Sequence, residues 1–91
     1  MIGIDKIGVY PGSLALPLRD LAIARGRPAD YPERELLAIE RTVLAPWEDP
    51  VTMAVEAAQA VLSDEDRARI ELVVVATESA VDHGKAMATY V

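Results

Sequence analysis

Residues 70–77, with the sequence IELVVVAT, constrain the fold more than any other part of this 91-residue chain. The apolar run from Leu72 to Ala76 is rich in valine and lacks the alternation of polar and apolar residues that a half-exposed strand shows. A strand of this kind is buried on both faces, as in a parallel sheet beneath helices. The pattern therefore predicts an α/β architecture with covering layers on both sides of this strand.

Other segments supply the remaining elements of this predicted architecture. The pattern of residues 2–10 favours a first strand that ends in a turn at residues 11–13. Residues 18–24 fit a short helix stopped by Gly26 and Pro28, and residues 32–40 fit a helix that begins at a proline. Residues 41–45 are expected to be a short extended piece.

The second half of the chain has three signals for helix starts. Asp49 can cap a helix over residues 50–62, which carries one apolar stripe at helical spacing. Ser63 can cap a second helical segment through residue 70. A similar Ser-x-x-acid pattern at residues 79–82 favours a last helix that continues to Val91.

The sequence predicts few strands for a sheet that is covered by helices on both faces. Only two or three strands are available, and a chain of this length buries limited surface. The last helix also has no stop signal before the chain ends. We therefore expect these residues to be part of a larger fold. The chain could then be a truncated gene product, a proteolytic piece or one chain of a split protein.

Composition excludes several classes of function. The chain has no cysteine, so disulfides, thiolate zinc sites and cysteine nucleophiles are excluded within it. The formal net charge of -6 disfavours nucleic-acid binding, because phosphate contacts need clustered basic residues. No apolar stretch approaches the roughly 20 residues of a membrane span. No secretory signal is visible, so a cytoplasmic protein is expected. With no cysteine and a single histidine, no metal site is expected.

Four arginines lie in the first half of the chain: Arg19, Arg25, Arg27 and Arg34. A solvated surface is the favoured interpretation, because acidic residues are interspersed among them. The alternative is an anionic partner, such as a phosphate-bearing cofactor.

Glu78 is the candidate for chemistry, because it follows the predicted buried strand and precedes the cap of the last helix. Ligands of open α/β folds collect at the carboxyl ends of strands, beside helix N-termini. A carboxylate held there among apolar groups is suited to proton transfer. The alternative is a solvated glutamate in a loop.

Three other residues are weaker candidates. His83 is the single histidine, and a surface or capping role is favoured over catalysis. Ser79 lies near Asp82 and His83 but lacks the Gly-x-Ser-x-Gly elbow of a nucleophile, so capping is favoured. Trp47 is interpreted as a packing anchor, with an interface role as the alternative.

The segment VATESAVD at residues 75–82 resembles the part of 3-hydroxy-3-methylglutaryl-CoA synthases that holds their general acid/base glutamate. Residues 2–7 resemble the first strand of these enzymes, and residues 50–74 match in order without large gaps. The resemblance covers essentially the whole chain. It implies that residues 1–91 are the N-terminal portion of a thiolase-like αβαβα synthase domain, and that the domain is incomplete.

The resemblance also implies a mechanism and a role for Glu78. The family acetylates a cysteine, deprotonates the acetyl methyl group and adds the carbanion to a ketone, with the glutamate as acid/base. The family's cysteine and histidine lie beyond the matched stretch, so this acyltransferase chemistry is not expected of the chain alone. The acyl-CoA-contacting segment corresponds roughly to residues 25–31, which gives Pro28 and Ala29 as substrate-binding residues, although an acid is common where Pro28 stands.

Residues 48–52 and 82–91 are more similar to the branch that installs β-branches during polyketide biosynthesis. This branch implies acetyl-CoA or acyl-carrier-protein thioesters as substrates, no cofactor, and a homodimer for the intact enzyme. The alternatives are a synthase of the mevalonate pathway of isoprenoid biosynthesis, and a non-catalytic remnant or partner subunit.

The enzymatic interpretation depends on one geometrical prediction. Residues 70–77 should form a doubly covered strand that presents Glu78 to an enclosed thioester cavity, completed by polypeptide outside this chain. An exposed carboxyl group beside an unpaired, exposed segment would contradict that prediction.

Overall fold

The computed structural model describes residues 2–91, which divide into two units. The inserted unit consists of residues 11–47. The terminal unit combines the N-terminal segment up to Tyr10 with residues 48–91. Its two parts are thus separated in sequence by the whole inserted unit.

A two-stranded antiparallel sheet organises the inserted unit. Strand β1 (Leu14–Pro17) pairs with strand β2 (Glu40–Val43), and the register places Leu14 opposite Val43. The extended piece expected at residues 41–45 is thereby confirmed in β2, whereas β1 was not predicted. A strand of four residues carries too short a pattern to be recognised before its pairing partner is known.

Helix α1 (Leu18–Ala24) follows β1 directly and has the predicted bounds. Leu18 and Ala22 on its inner face are buried. The N–H of Leu18 donates to the carbonyl of Ile39 at 2.9 Å, so the helix start is attached to the chain just before β2. The helix ends before Gly26, whose φ of 69° lies in the left-handed region that glycine adopts at little cost.

The predicted helix over residues 32–40 is wrong. Only a π-helical turn, Pro32–Leu36, forms, with the proline in its first turn as expected. Leu37 has φ 51°, a left-handed conformation that ends the helical path. The residues that follow enter β2, because pairing with β1 satisfies their backbone groups.

Helix α2 (Pro50–Gln59) has the predicted start and ends three residues earlier than predicted. The Asp49 carboxylate accepts a hydrogen bond from the N–H of Thr52 at 2.8 Å, and the Thr52 hydroxyl accepts from the N–H of Asp49 at 2.8 Å. This reciprocal pair satisfies two backbone donors at the helix start. The predicted cap is therefore confirmed.

Helix α3 (Asp64–Ala68) begins at the predicted cap, Ser63, and ends two residues before the predicted end. The Ser63 hydroxyl accepts from the N–H of Asp66 at 3.1 Å, and the Asp66 carboxylate accepts from the N–H of Ser63 at 2.9 Å. The same carboxylate pairs with the Lys6 ammonium. The N-terminal segment is thus attached to the start of α3.

The two predicted strands of the terminal unit are not formed. Neither residues 2–10 nor residues 70–77 pair with another strand in the described part of the chain. A strand exists only through hydrogen bonds to a neighbouring strand, and neither segment finds one here. Their large apolar side chains are mostly exposed: Ile2, Ile4, Ile7, Val9, Ile70, Leu72, Val73 and Val74.

The predicted last helix is also wrong, since a single 3₁₀ turn, Met87–Thr89, forms near the end. Instead of capping a helix, Asp82 accepts hydrogen bonds from the Gly84 N–H at 2.7 Å and the Tyr90 hydroxyl at 2.8 Å. Local side-chain bonds of this kind compete with helix formation, and a glycine lowers helix propensity.

None of the helices in the described part of the chain has the length and apolar character needed to cross a bilayer.

The Lys6–Asp66 contact predicts a pH-dependent stability. Hydrogen bonds from Lys6, and then from Ser63, hold the pKa of Asp66 well below its usual range. Because this pKa is lower in the folded than in the unfolded chain, the stabilisation is present above the unfolded value and is lost as the pH falls towards the folded value. We expect the free energy of unfolding, measured by urea denaturation, to fall between about pH 5 and 2.

Asp66→Asn should make that fall shallower, because the titrating carboxylate is removed. Asp64→Asn is the matched control, since Asp64 lies on the same helix with a fully exposed side chain and only a long contact, 3.9 Å, to Arg67. Equal slopes for Asp66→Asn and the unmodified chain would contradict the contribution of the ion pair.

Candidate functional site

Glu78 lies in a bend that follows the 70–77 segment, and it is exposed. The N–H of Ser79 donates to the Thr77 hydroxyl at 3.0 Å, so the two residues beside Glu78 are joined by a local turn. Among the described residues no hydrogen bond or ion pair involves the Glu78 side chain. The carboxyl group is therefore accessible to solvent and to any approaching polypeptide.

The predicted enclosed cavity around Glu78 is absent from the described part of the chain. The segment before Glu78 is unpaired and exposed, which is the arrangement that contradicts the geometrical prediction. The physical reason is that a doubly covered strand needs neighbouring strands on both edges, and in the described residues 2–91 no strand pairs with residues 70–77. The geometry of this segment by itself gives the enzymatic interpretation no support.

The loop after Glu78 is held by a small polar cluster. The hydrogen bonds from the Gly84 N–H and then from the Tyr90 hydroxyl lower the pKa of Asp82, and the bond to Asp82 raises the pKa of Tyr90. The Lys85 ammonium lies 4.6 Å from the centre of the Tyr90 ring, a cation–π distance. These contacts fix the path of the chain for several residues beyond Glu78.

This cluster also bears on the weaker candidates. The Asp82 carboxylate bonds to Tyr90 and Gly84, and His83 and Ser79 are both exposed. The predicted capping role of Ser79 at a last helix is wrong, because that helix is not formed. Among the described residues, no group of three or more His, Cys, Asp or Glu side chains is arranged to hold a metal ion.

The inserted unit holds Pro28 and Ala29 at the start of a turn. The carbonyl of Pro28 accepts a hydrogen bond from the N–H of Tyr31 at 3.0 Å. Pro28 is exposed and Ala29 is half-buried. Glu78 and these two residues thus belong to different units.

A cavity of about 380 Å³ lies beside this turn. Its wall is mostly apolar, with two arginines and one tyrosine: Leu18, Leu21, Ala22, Arg25, Arg27, Tyr31, Pro32 and Leu36. Arg27, directly before the Pro28–Ala29 pair, and Tyr31, two residues after it, therefore reach the cavity wall.

The four arginines considered together in the sequence analysis do not share one environment in the structure. Arg34 pairs with Asp30 at 3.3 Å and with Glu35 at 3.0 Å, which fits the solvated alternative for this residue. Arg25 and Arg27 line the cavity, where cationic groups meet an apolar wall.

The structure gives two aromatic residues a setting that the sequence analysis did not predict. Tyr31 was not singled out, yet the Arg27 guanidinium lies 5.3 Å from its ring centre. The sequence signal for this contact is the position of Tyr31 four residues after Arg27. Trp47 is 74% exposed, so the packing interpretation is wrong and the interface alternative remains.

Comparison with family models gives no match. The chain is 39% identical over 93 residues to the polyketide biosynthesis 3-hydroxy-3-methylglutaryl-ACP synthase PksG of Bacillus subtilis, and this match covers 98% of the chain. It is 37% identical over 87 residues to the hydroxymethylglutaryl-CoA synthase of Enterococcus faecalis, covering 96% of the chain. The chain spans only 22% and 23% of the length of these relatives.

A comparison with solved structures also finds a hydroxymethylglutaryl synthase. The backbone matches the crystal structure of the curacin biosynthetic pathway HMG synthase in complex with acetyl donor-ACP, with a TM-score of 0.82 and 44% sequence identity. The match covers 97% of this chain and 22% of that synthase. These findings confirm the resemblance to hydroxymethylglutaryl synthases, closest to the polyketide type, and the fold as an α/β portion of a thiolase-like synthase.

Proposed function

We propose that this chain is the portion of a hydroxymethylglutaryl synthase that carries the acid/base glutamate, and that the complete synthase acts in polyketide β-branching. The reaction condenses an acetyl group with a β-ketoacyl thioester. The observation that carries the proposal is the chain-long similarity to the curacin pathway synthase, at 44% identity and a TM-score of 0.82.

Glu78 supplies the proton transfers in this proposal. Its carboxylate removes a proton from the methyl group of an acetyl thioester, and the resulting carbanion forms a carbon–carbon bond to the ketone carbon of the acceptor. The alkoxide formed there then takes a proton from the Glu78 carboxylic acid. The acetyl-carrying cysteine must come from other polypeptide, because this chain has none.

Because Glu78 is exposed, the proposal requires an active site that is shared with further polypeptide. A proton-transfer carboxylate works best where water is excluded, and nothing in the described residues encloses this one. The layers that exclude water are therefore supplied by the remaining four-fifths of the synthase. By itself the 91-residue chain is expected to be inactive.

The inserted unit is the proposed contact for the carrier of the thioester. Acyl-CoA and acyl carrier proteins present their thioesters on a phosphate-bearing arm, and arginine is well suited to bind phosphate. Arg25 and Arg27 lie at the wall of the 380 Å³ cavity, next to Pro28 and Ala29. We assign the phosphate to these arginines and the adjacent arm to the Pro28–Ala29 turn, without a further cofactor.

Paired chimeras test the proposal and the choice of acceptor. Residues 1–91 replace the matching segment in PksG and, separately, in the Enterococcus synthase. We expect the PksG chimera to keep its condensation activity with an acceptor bound to the carrier protein. The Enterococcus chimera should lose tenfold or more of its activity with acetoacetyl-CoA, roughly what a few mismatched contacts cost.

The opposite ranking of the two chimeras would favour a mevalonate-pathway synthase. Two folded chimeras that are both inactive in condensation would favour the non-catalytic remnant. Circular dichroism and gel filtration establish folding in each case.

A further inference from the structure

A hydrogen bond joins the two residues between which the inserted unit lies. The chain leaves the terminal unit after Tyr10 and returns to it at Glu48. The Tyr10 hydroxyl donates to the Glu48 carboxylate at 2.7 Å, although the two residues are 38 positions apart in sequence. Both residues are half-buried. We call the hydrogen bond between Tyr10 and Glu48 the clasp.

Within the inserted unit, further contacts hold the start of the 11–47 segment against its last strand. The Thr42 hydroxyl in β2 donates to the carbonyl of Pro11, the residue that follows Tyr10. Leu14, the first residue of β1, lies opposite Val43, the last residue of β2. The segment is therefore closed at its ends by side-chain bonds and then by the sheet.

The backbone next to the clasp has little freedom of its own. Pro11 and Pro46 fix φ in the connections that enter and leave the inserted unit. Gly12 has φ 85°, so the chain turns there in a left-handed conformation that costs glycine little. The main freedom that remains is separation of Tyr10 from Glu48. The clasp opposes it with a hydrogen bond to a carboxylate, which is stronger than one between neutral groups.

The sheet that these contacts close is continuous with the wall of the 380 Å³ cavity. Strand β1 leads directly into α1, whose first residue, Leu18, lines the cavity and donates its N–H to Ile39 just before β2. Arg25, which follows the last residue of α1, lines the same cavity. Separation of the ends of the 11–47 segment would therefore displace α1 and the cavity wall with it.

We propose that Tyr10 and Glu48 are positioning residues for thioester binding. The clasp holds the ends of residues 11–47 together and so keeps the cavity beside Arg25 and Arg27 in the form that binds the carrier. The inference rests on the proposed function, from which it takes the carrier contact. The effect of the clasp is on binding, because Glu78, the proposed acid/base, lies outside the inserted unit.

The test uses the PksG chimera with an acceptor bound to the carrier protein. Tyr10→Phe keeps the ring and removes the hydroxyl. We expect KM for the acceptor to rise about tenfold, the usual effect of losing one hydrogen bond to a charged group, while kcat stays within about twofold. The dissociation constant of the same acceptor, measured in the Glu78→Gln chimera, should rise by the same factor.

Glu48→Gln is the matched control, because its amide oxygen still accepts from the Tyr10 hydroxyl. Its KM should stay near that of the unmodified chimera. Glu48→Leu removes the acceptor and should behave like Tyr10→Phe. The double variant should be no worse than either single variant, since both remove the same interaction.

Hydrogen exchange of the 91-residue chain separates positioning from a general loss of stability. In Tyr10→Phe the amides of β1 and β2 should exchange roughly tenfold faster, whereas those of α2 should keep their rates. Equal acceleration in α2 would show that the clasp only stabilises the chain as a whole, and would overturn the proposal.

Three kinetic results would also overturn it: an unchanged KM in an active Tyr10→Phe chimera, an equal rise of KM in Glu48→Gln, or a loss of kcat at constant KM. Failure of the proposed function gives a different result. In that case the unmodified chimera neither binds the acceptor nor condenses it, and the positioning role falls with the carrier contact on which it rests.

Discussion

Glu78→Gln in the PksG chimera is expected to reduce condensation by about 10²–10⁴-fold, the usual contribution of a general acid/base. Glutamine keeps the size of the side chain but neither accepts nor returns a proton at neutral pH. Acetylation of a cysteine outside residues 1–91, which the proposed mechanism requires, should continue in the chimera because that step does not use the Glu78 carboxylate. Radiolabelled acetyl transfer and product formation are measured on the same preparation.

Glu71→Gln is the matched control for this substitution. Glu71 is also an exposed glutamate next to the valine-rich run, and its loss removes the same charge without touching the proposed chemistry. We expect condensation in this variant to stay near that of the unmodified chimera. Undiminished condensation by Glu78→Gln would remove the acid/base assignment.

Gly8→Ala is expected to lower the free energy of unfolding by about 1–3 kcal/mol, the usual cost of overpacking. A Cβ at this position would clash with a methyl group of Val61 and would lie 3.2 Å from the carbonyl oxygen of Ala57 in α2. The N-terminal segment therefore lies directly against the end of α2. Urea denaturation of the 91-residue chain measures the change.

Gly3→Ala provides the control, because a Cβ at Gly3 has nothing within 4 Å. It should leave stability unchanged or raise it slightly by restricting the unfolded chain. Val61→Ala in the Gly8→Ala background removes the clashing methyl groups and should recover part of the loss. Equal stabilities of the two glycine variants would show that the segment does not pack on α2.

Local signals in the sequence identified helix starts well. Asp49 and Ser63 cap helices as predicted, because capping depends on residues within one turn of each other. Helix α1 has its predicted bounds without a side-chain cap. The same local rule failed at Ser79 and Asp82. The Asp82 carboxylate was expected to support a helix start. Instead it accepts hydrogen bonds from the Gly84 N–H and from the hydroxyl of Tyr90, eight residues further along the chain.

In the candidate site, too, the sequence identified single residues but not the features that depend on folding. The sequence singled out Glu78, Pro28 and Ala29, and the role of each stays a prediction. It could not identify the cavity beside Arg25 and Arg27, because that cavity forms only when α1 and the π-helical turn fold together. Enclosure of Glu78 was expected from the valine-rich run, but among the described residues nothing covers the Glu78 side chain.

The amino-acid pattern alone determined the two helix caps, the absence of cysteine chemistry and the similarity to a synthase segment, since each depends on residue identity or short spacing. Tertiary structure alone decided that residues 11–47 form a unit of their own, that β1 pairs with β2, and that residues 70–77 pair with no strand among the described residues. Strand pairing and burial are relations between distant segments, so a pattern can indicate that a segment requires a partner without showing where that partner is.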